Sequence, residues 1–160
     1  MHWGCWNRPS RYALAWTTRD IPDLSGRTAV VTGANSGLGL QVSIELARHG
    51  AHVLLACRDR ARGTSALRQV VGSAELVLLD LADLAAVRAA AAEIGRAHDR
   101  LDLLVCNAGV MATPYRTTAD GFELQFGTNH LGHFALAGLL MSRLLAAPAA
   151  RVVVVSSTMH

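Results

Sequence analysis

The feature that most constrains this chain is an alternation of two kinds of segment. Short, continuously apolar runs rich in Val, Leu and Ala are separated by stretches with helical periodicity. The runs are RTAVVTG (27–33), AHVLLAC (51–57), AELVLLDL (74–81), LDLLVCNAG (101–109) and ARVVVVSS (150–157). A strand that is apolar on both sides of its pleat must be covered on both faces, and parallel sheets flanked by helices meet that demand. Between the runs, GLGLQVSIELARHG (37–50) carries Leu38, Val42 and Leu46 at helical spacing and stops on Gly50. RARGTSALRQVV (60–71) predicts a weaker helix. Asp83 predicts the cap of a helix with Leu84, Val87, Ala91 and Ile94 on one face. Asp120 and Glu123, three apart, resemble a capping box and predict the start of a long helix reaching about Leu145. The order β-α-β-α-β-α-β-α-β predicts a doubly wound α/β domain, with a parallel sheet between two helical layers and right-handed crossovers.

Composition narrows the class of function. The 160 residues are enough for one domain, and with 51% apolar and 17% charged residues the chain is globular in type. A net charge of +3, with basic residues scattered apart from Arg58, Arg60 and Arg62, is too little to argue for a nucleic-acid or membrane-surface partner on its own. All fifteen basic residues are arginine, so the chain has no lysine. Cys5, Cys57 and Cys106 form no CxxC pair, which predicts reduced thiols rather than a disulfide framework or zinc finger. No run is long and apolar enough to span a bilayer, and no signal-peptide pattern opens the chain, so a cytoplasmic protein is expected. Residues 1–24, with Trp3, Trp6 and Trp16 but no periodicity, read as an N-terminal extension; residues 25–160 read as the domain.

TGANSGLG (32–39) occupies the first strand-to-helix turn. Gly33 permits the tight turn, Gly37 keeps a side chain away from an approaching pyrophosphate, and Gly39 lets helix and strand pack closely. The following helix offers unpaired N–H groups and the positive end of its dipole to phosphate. In this position a glycine triplet predicts a dinucleotide-binding, Rossmann-type fold.

The spacing GxxxGxG after a threonine resembles the short-chain dehydrogenase/reductase family. The resemblance continues in chain order through Asp80-Leu81, CNAG (106–109), TNHLGHF (128–134) and RVVVVSS (151–157). The wording of DIPDLSGRTAVVTGANSGLG, LLACRD and NHLGHFAL is most similar to retinol dehydrogenases and protochlorophyllide reductases. By this resemblance Gly33, Asn35, Ser36, Gly37, Leu38 and Gly39 cradle the nucleotide. Asp80 and Leu81 meet the adenine, and Asn107, Ala108 and Gly109 line the site, with Cys106 where the family usually has asparagine. Asn129 and Ser157 are implied as catalytic, Ser156 being the alternative because a one-residue shift flips the face of a strand. The implied cofactor is NADP, from Arg58 after the second strand and Cys57 where an NAD enzyme carries Asp. Asp59 keeps NAD as the second choice. The implied partner is a small carbonyl or alcohol substrate.

The family's remaining catalytic pair, a Tyr-x-x-x-Lys, does not occur in these residues, and Tyr12 and Tyr115 have no lysine partner. The expectation is therefore a domain that stops after its fifth strand, with part of the family's oligomer interface missing. That leaves three readings: a hydride-transferring oxidoreductase represented by its cofactor-binding part, a nucleotide-binding module without catalysis, or a non-functional gene fragment. Strand five is expected at an edge with its valines exposed. His130 and His133, three apart on one helix, lack an apparent third ligand and are read as packing rather than metal-binding residues.

Overall fold

The computed structural model describes residues 16–157; Cys5, Trp3, Trp6 and Tyr12 lie outside the described residues. Five strands form one sheet: β1 (Thr28–Thr32), β2 (His52–Cys57), β3 (Ala74–Leu78), β4 (Leu103–Cys106) and β5 (Arg151–Val154). Their spatial order is β3-β2-β1-β4-β5 and every neighbouring pair is parallel. The order reverses between β1 and β4, which is where doubly wound sheets open a crevice at the carboxyl ends of their strands.

The helices are α1 (Gly37–Arg48), α2 (Arg60–Leu67), α3 (Leu84–Ala97), α4 (Leu124–Phe126) and α5 (Gly132–Leu145), with a π-helical turn, Gly127–Leu131, joining the last two. Two buried clusters share the sheet between them. On one face Val87, Ala90, Ala91 and Ile94 of α3 and Leu136, Leu140 and Leu144 of α5 meet Val30, Leu54, Val77 and Leu104. On the other, Leu40 and Ala47 of α1 and Ala66 of α2 meet Val31, Val53, Leu55 and Val105. Adjacent strand residues alternate between the clusters, so the continuously apolar runs are explained by two covered faces. Each fully buried leucine, such as Leu54 or Leu136, contributes on the order of 2 kcal/mol to that burial.

Three local expectations are corrected. On α1, Val42 and Leu46 pack partly buried against the sheet as expected, but Leu38 is 73% exposed, and the buried residues are Gly39, Leu40, Ser43 and Ala47. Small residues allow the helix close to the sheet, and the Ser43 hydroxyl is satisfied by donating to the Gly39 carbonyl at 2.8 Å. The Asp120–Glu123 pair is not a capping box. Glu123 alone caps α4, accepting from the N–H of Gln125 and Phe126, while Asp120 accepts from the N–H of Leu84 at the start of α3. The long helix after Glu123 is interrupted by the π turn, a feature that helical periodicity does not register.

The exposed edge is as expected among the described residues: β5 pairs only with β4, and Val152 to Val155 are 45% to 64% exposed.

Candidate functional site

The carboxyl ends of β1, β2 and β4 and the chain following β3 enclose a cleft of about 320 Å³. Of the residues expected at a nucleotide, Gly33, Asn35, Ser36, Arg58, Asp80, Leu81, Asn107, Ala108 and Gly109 line it. Gly37, Leu38 and Gly39 do not line it; they form the first turn of α1 beside it. Val110 and Thr128 are cleft residues that sequence reasoning missed, because they belong to no glycine or acidic signature.

Backbone geometry explains the glycines at either end of the turn. Gly33 has φ +65°, a left-handed conformation open to glycine, and a Cβ there would lie 2.9 Å from the Ala108 Cα. A Cβ on Gly39 would lie 2.5 Å from both the Gly33 carbonyl oxygen and Asn107 Nδ2. The loops after β1 and β4 therefore touch the start of α1 with no space for a methyl group. Ser36, the N-cap residue of α1, makes no side-chain cap bond, which leaves the helix's first N–H groups without that partner at the cleft.

A chain of hydrogen bonds ties these loops to the π turn. Thr32 Oγ1 accepts from the N–H of Asn107 at 2.9 Å and of Ala108 at 3.0 Å, which fills its acceptor capacity. Asn107 Nδ2 donates to the Thr32 carbonyl at 2.9 Å. His133 is buried with Nδ1 2.9 Å from the Asn129 carbonyl, which only accepts, so Nδ1 carries the proton. Burial pushes the His133 pKa below its ordinary 6.5, opposed by that same bond, so the ring is neutral near pH 7 and Nε2 is an acceptor. The Thr32 hydroxyl therefore donates to Nε2 at 2.9 Å in preference to the Val105 carbonyl at 3.3 Å. The tautomer follows from this accounting.

Asn129 spends its side chain on one residue: its Oδ1 accepts from the Val110 N–H and its Nδ2 donates to the Val110 carbonyl, both at 2.8 Å. It thereby fixes the strand of backbone that follows Gly109 along the cleft wall. Beside it the Thr128 hydroxyl is buried with no hydrogen-bond partner and belongs to the cleft lining. Ser156 and Ser157 are exposed immediately beyond β5, at the same end of the sheet, and are not part of that lining. Of the expected pair, neither Asn129 nor Ser157 is among the residues that line the cleft.

Arg58 lies in the cleft wall directly after β2, whereas Asp59 turns away and caps α2, its Oδ1 accepting from the Arg62 N–H at 2.9 Å. Asp80 Oδ1 accepts from the Ala82 N–H at 2.9 Å. Cys106 is buried, and loss of solvent raises its pKa to about 11, so it stays a thiol and is no nucleophile. His133 fills the structural role just described. His130 is exposed, its ring stacked on Phe126 at 5.3 Å and near Phe134 at 6.2 Å.

Comparison with known proteins agrees with this architecture. The sequence model of the short chain dehydrogenase family matches residues 27–160. Retinol dehydrogenase 13 of Homo sapiens is 45% identical over 142 residues, covering 86% of this chain and 43% of its own length. Dehydrogenase/reductase SDR family member 13 of Bos taurus is 49% identical over 147 residues, covering 89% and 38%. A crystal structure of a protein from Mycobacterium paratuberculosis superposes with a TM-score of 0.81 at 51% identity, over 89% of this chain and 50% of that one. A metagenomic short-chain oxidoreductase solved in complex with NADP gives a TM-score of 0.71 at 32% identity, over 81% and 62%. The chain spans less than half the length of these dehydrogenase relatives. With a family match over most of its residues and the nucleotide turn at the head of a parallel sheet, the chain belongs to the short-chain dehydrogenase family.

Proposed function

We propose that this chain holds NADP(H) for hydride transfer between the nicotinamide and a carbonyl or alcohol substrate. The observation that carries the choice of NADP is at the end of β2. Arg58 stands in the cleft wall, Cys57 replaces the acidic side chain that would accept from a ribose hydroxyl, and Asp59 is engaged as a helix cap. A guanidinium there suits a 2′-phosphate, and a carboxylate engaged at a helix end is not offered to a ribose hydroxyl in its place. The cleft fits a dinucleotide on further grounds. A Cβ would close the contact at Gly39, the N-terminus of α1 lacks a side-chain cap, and the Thr128 hydroxyl is buried without a partner.

In this reading the bound cofactor supplies or accepts the hydride. Gly33, Asn35 and Ser36, with the first turn of α1 beside them, would hold the pyrophosphate, Asp80 and Leu81 would border the adenine, and Asn107 to Val110 would form the wall nearer the substrate. Asn129 holds that wall in place through Val110, and Ser157 is the residue offered to the substrate oxygen. A cytoplasmic location is consistent with the buried free thiols Cys57 and Cys106. Among the described residues no helix is long and apolar enough to cross a membrane.

A second reading is a nucleotide-binding module without catalysis; these 160 residues contain no lysine, so a Tyr-x-x-x-Lys to donate and recover the proton is not among them. Turnover of aldehydes with NADPH by this polypeptide is accordingly expected to be absent. Fluorescence titration tests the binding claim itself. Arg58→Ala is expected to weaken NADPH about tenfold or more, as loss of a charge-assisted contact does, with little effect on NADH. Equal weakening of both nucleotides refutes the phosphate contact. A folded chain that binds neither nucleotide refutes the cofactor reading.

A further inference from the structure

At the opposite end of the sheet from the cleft, three side chains from three elements converge. His52 opens β2, Glu75 is the second residue of β3, and His98 follows the last turn of α3. His98 Nε2 lies 2.9 Å from Glu75 Oε1 and His52 Nε2 lies 3.5 Å from the same oxygen. The three ligand atoms are all within 4.8 Å of one another, and the two imidazole centroids are 5.5 Å apart. Around a tetrahedral zinc ion with bonds of about 2.0–2.1 Å, neighbouring ligand atoms stand roughly 3.3 Å apart. Two of the observed separations, 2.9 and 3.5 Å, bracket that figure.

A fourth residue prepares one of the ligands. His52 Nδ1 is 2.7 Å from Ser73 Oγ. With Nδ1 donating to that hydroxyl, the lone pair is on Nε2, the atom facing Glu75 and His98. Metal-bound histidines are oriented in the same way by an acceptor on the other ring nitrogen. The Ser73 carbonyl also accepts from the Val53 N–H at 2.9 Å, so the orienting residue is itself held by the sheet. The side chains are 30%, 47% and 17% exposed for His52, Glu75 and His98, which leaves room for water to complete the coordination.

We propose that His52, Glu75 and His98 form a binding site for a divalent transition ion, zinc being the representative, that clamps the β2–β3 edge of the sheet to the end of α3. Two imidazoles and one carboxylate suit borderline ions such as zinc and disfavour magnesium or calcium, which take oxygen ligands. The site is separate from the cleft, so its occupancy raises stability by linkage without entering hydride chemistry.

Isothermal titration of the whole chain, free of any affinity tag, with zinc chloride tests this, with magnesium chloride as the contrasting ion. Because His2 and Cys5 lie outside the described residues, the difference between parent and variants is the readout. The parent is expected to bind one zinc more than His98→Ala and Glu75→Gln, and to gain in melting temperature on zinc addition where those variants do not. Ser73→Ala, an exposed change that leaves all three ligands, is expected to weaken zinc about tenfold. Cobalt(II) in place of zinc is expected to give the visible absorption of tetrahedral coordination in the parent and to lose it in His98→Ala. Glu75 is exposed, so Glu75→Gln keeps the test valid if His98→Ala fails to fold. Equal zinc uptake by parent and folded Glu75→Gln, or no uptake by the parent, overturns the proposal.

Discussion

His133 shows how much one residue can order when its proton count is forced. It bridges Thr32, at the end of β1, and the Asn129 carbonyl in the π turn, and the bridge works only with the ring neutral. Burial lowers its pKa in the folded chain below the ordinary 6.5 that applies on unfolding. The unfolded state thus binds the extra proton first. Stability is level above that pKa and declines as pH falls from about 6.5 toward the folded value. We expect His133→Phe to destabilise the chain by about 1–3 kcal/mol near pH 7, since the Asn129 carbonyl and Thr32 hydroxyl lose their partner. Its penalty relative to the parent should shrink on acidification. Urea midpoints of both proteins on either side of pH 6.5 measure this, and a penalty independent of pH would rule out the neutral-ring assignment.

At the scale of elements, α3 illustrates complete accounting of a helix start. Asp83 accepts from the N–H of Ala85 at 2.8 Å and of Ala86 at 3.2 Å, its carbonyl takes Val87, and Asp120 takes Leu84 at 2.9 Å. The second aspartate comes from 36 residues downstream and adds negative charge where the helix dipole favours it. It therefore fastens the loop before α4 onto the cleft side of α3. Replacing Asp120 with Ala is expected to cost about 1 kcal/mol, whereas Asn, which keeps an oxygen acceptor, should cost much less. Thermal melts of the two variants separate these outcomes; an Ala variant as stable as the parent would show that Asp120 contributes nothing to α3.

At the scale of these 160 residues, the outer edge of β5 is the feature expected to promote association. Val152 to Val155 expose both faces of β5, and no described strand pairs with its outer side. Such an edge invites pairing with another copy. Raising the protein concentration is expected to increase light scattering by the parent. Val153 lies opposite Val105 in the register, and alternation places Val155 on the same face. The double change Val153→Lys with Val155→Lys should suppress the scattering while leaving NADPH titration unaltered. A parent that stays monomeric at high concentration would remove the edge as a cause of association.

Sequence alone determined the three-layer plan, because continuously apolar strands and amphipathic helices admit few other arrangements, and the spacing of Gly33, Gly37 and Gly39 located the cleft. Its weak point was contacts between residues distant in the chain. The capping partner of Leu84, the pairing of Asn129 with Val110, the tautomer of His133 and the meeting of His52 with Glu75 and His98 leave no local periodicity to read. Each arises where separate elements happen to end side by side. Helical spacing offered Leu38 as a core residue, yet packing buries Leu40 and Ala47 and leaves Leu38 exposed, with α1 held close to the loops after β1 and β4 at Gly39. Local pattern determines which elements form, and the tertiary structure decides which side chains meet, because hydrogen bonds and close contacts depend on distances that sequence separation does not encode.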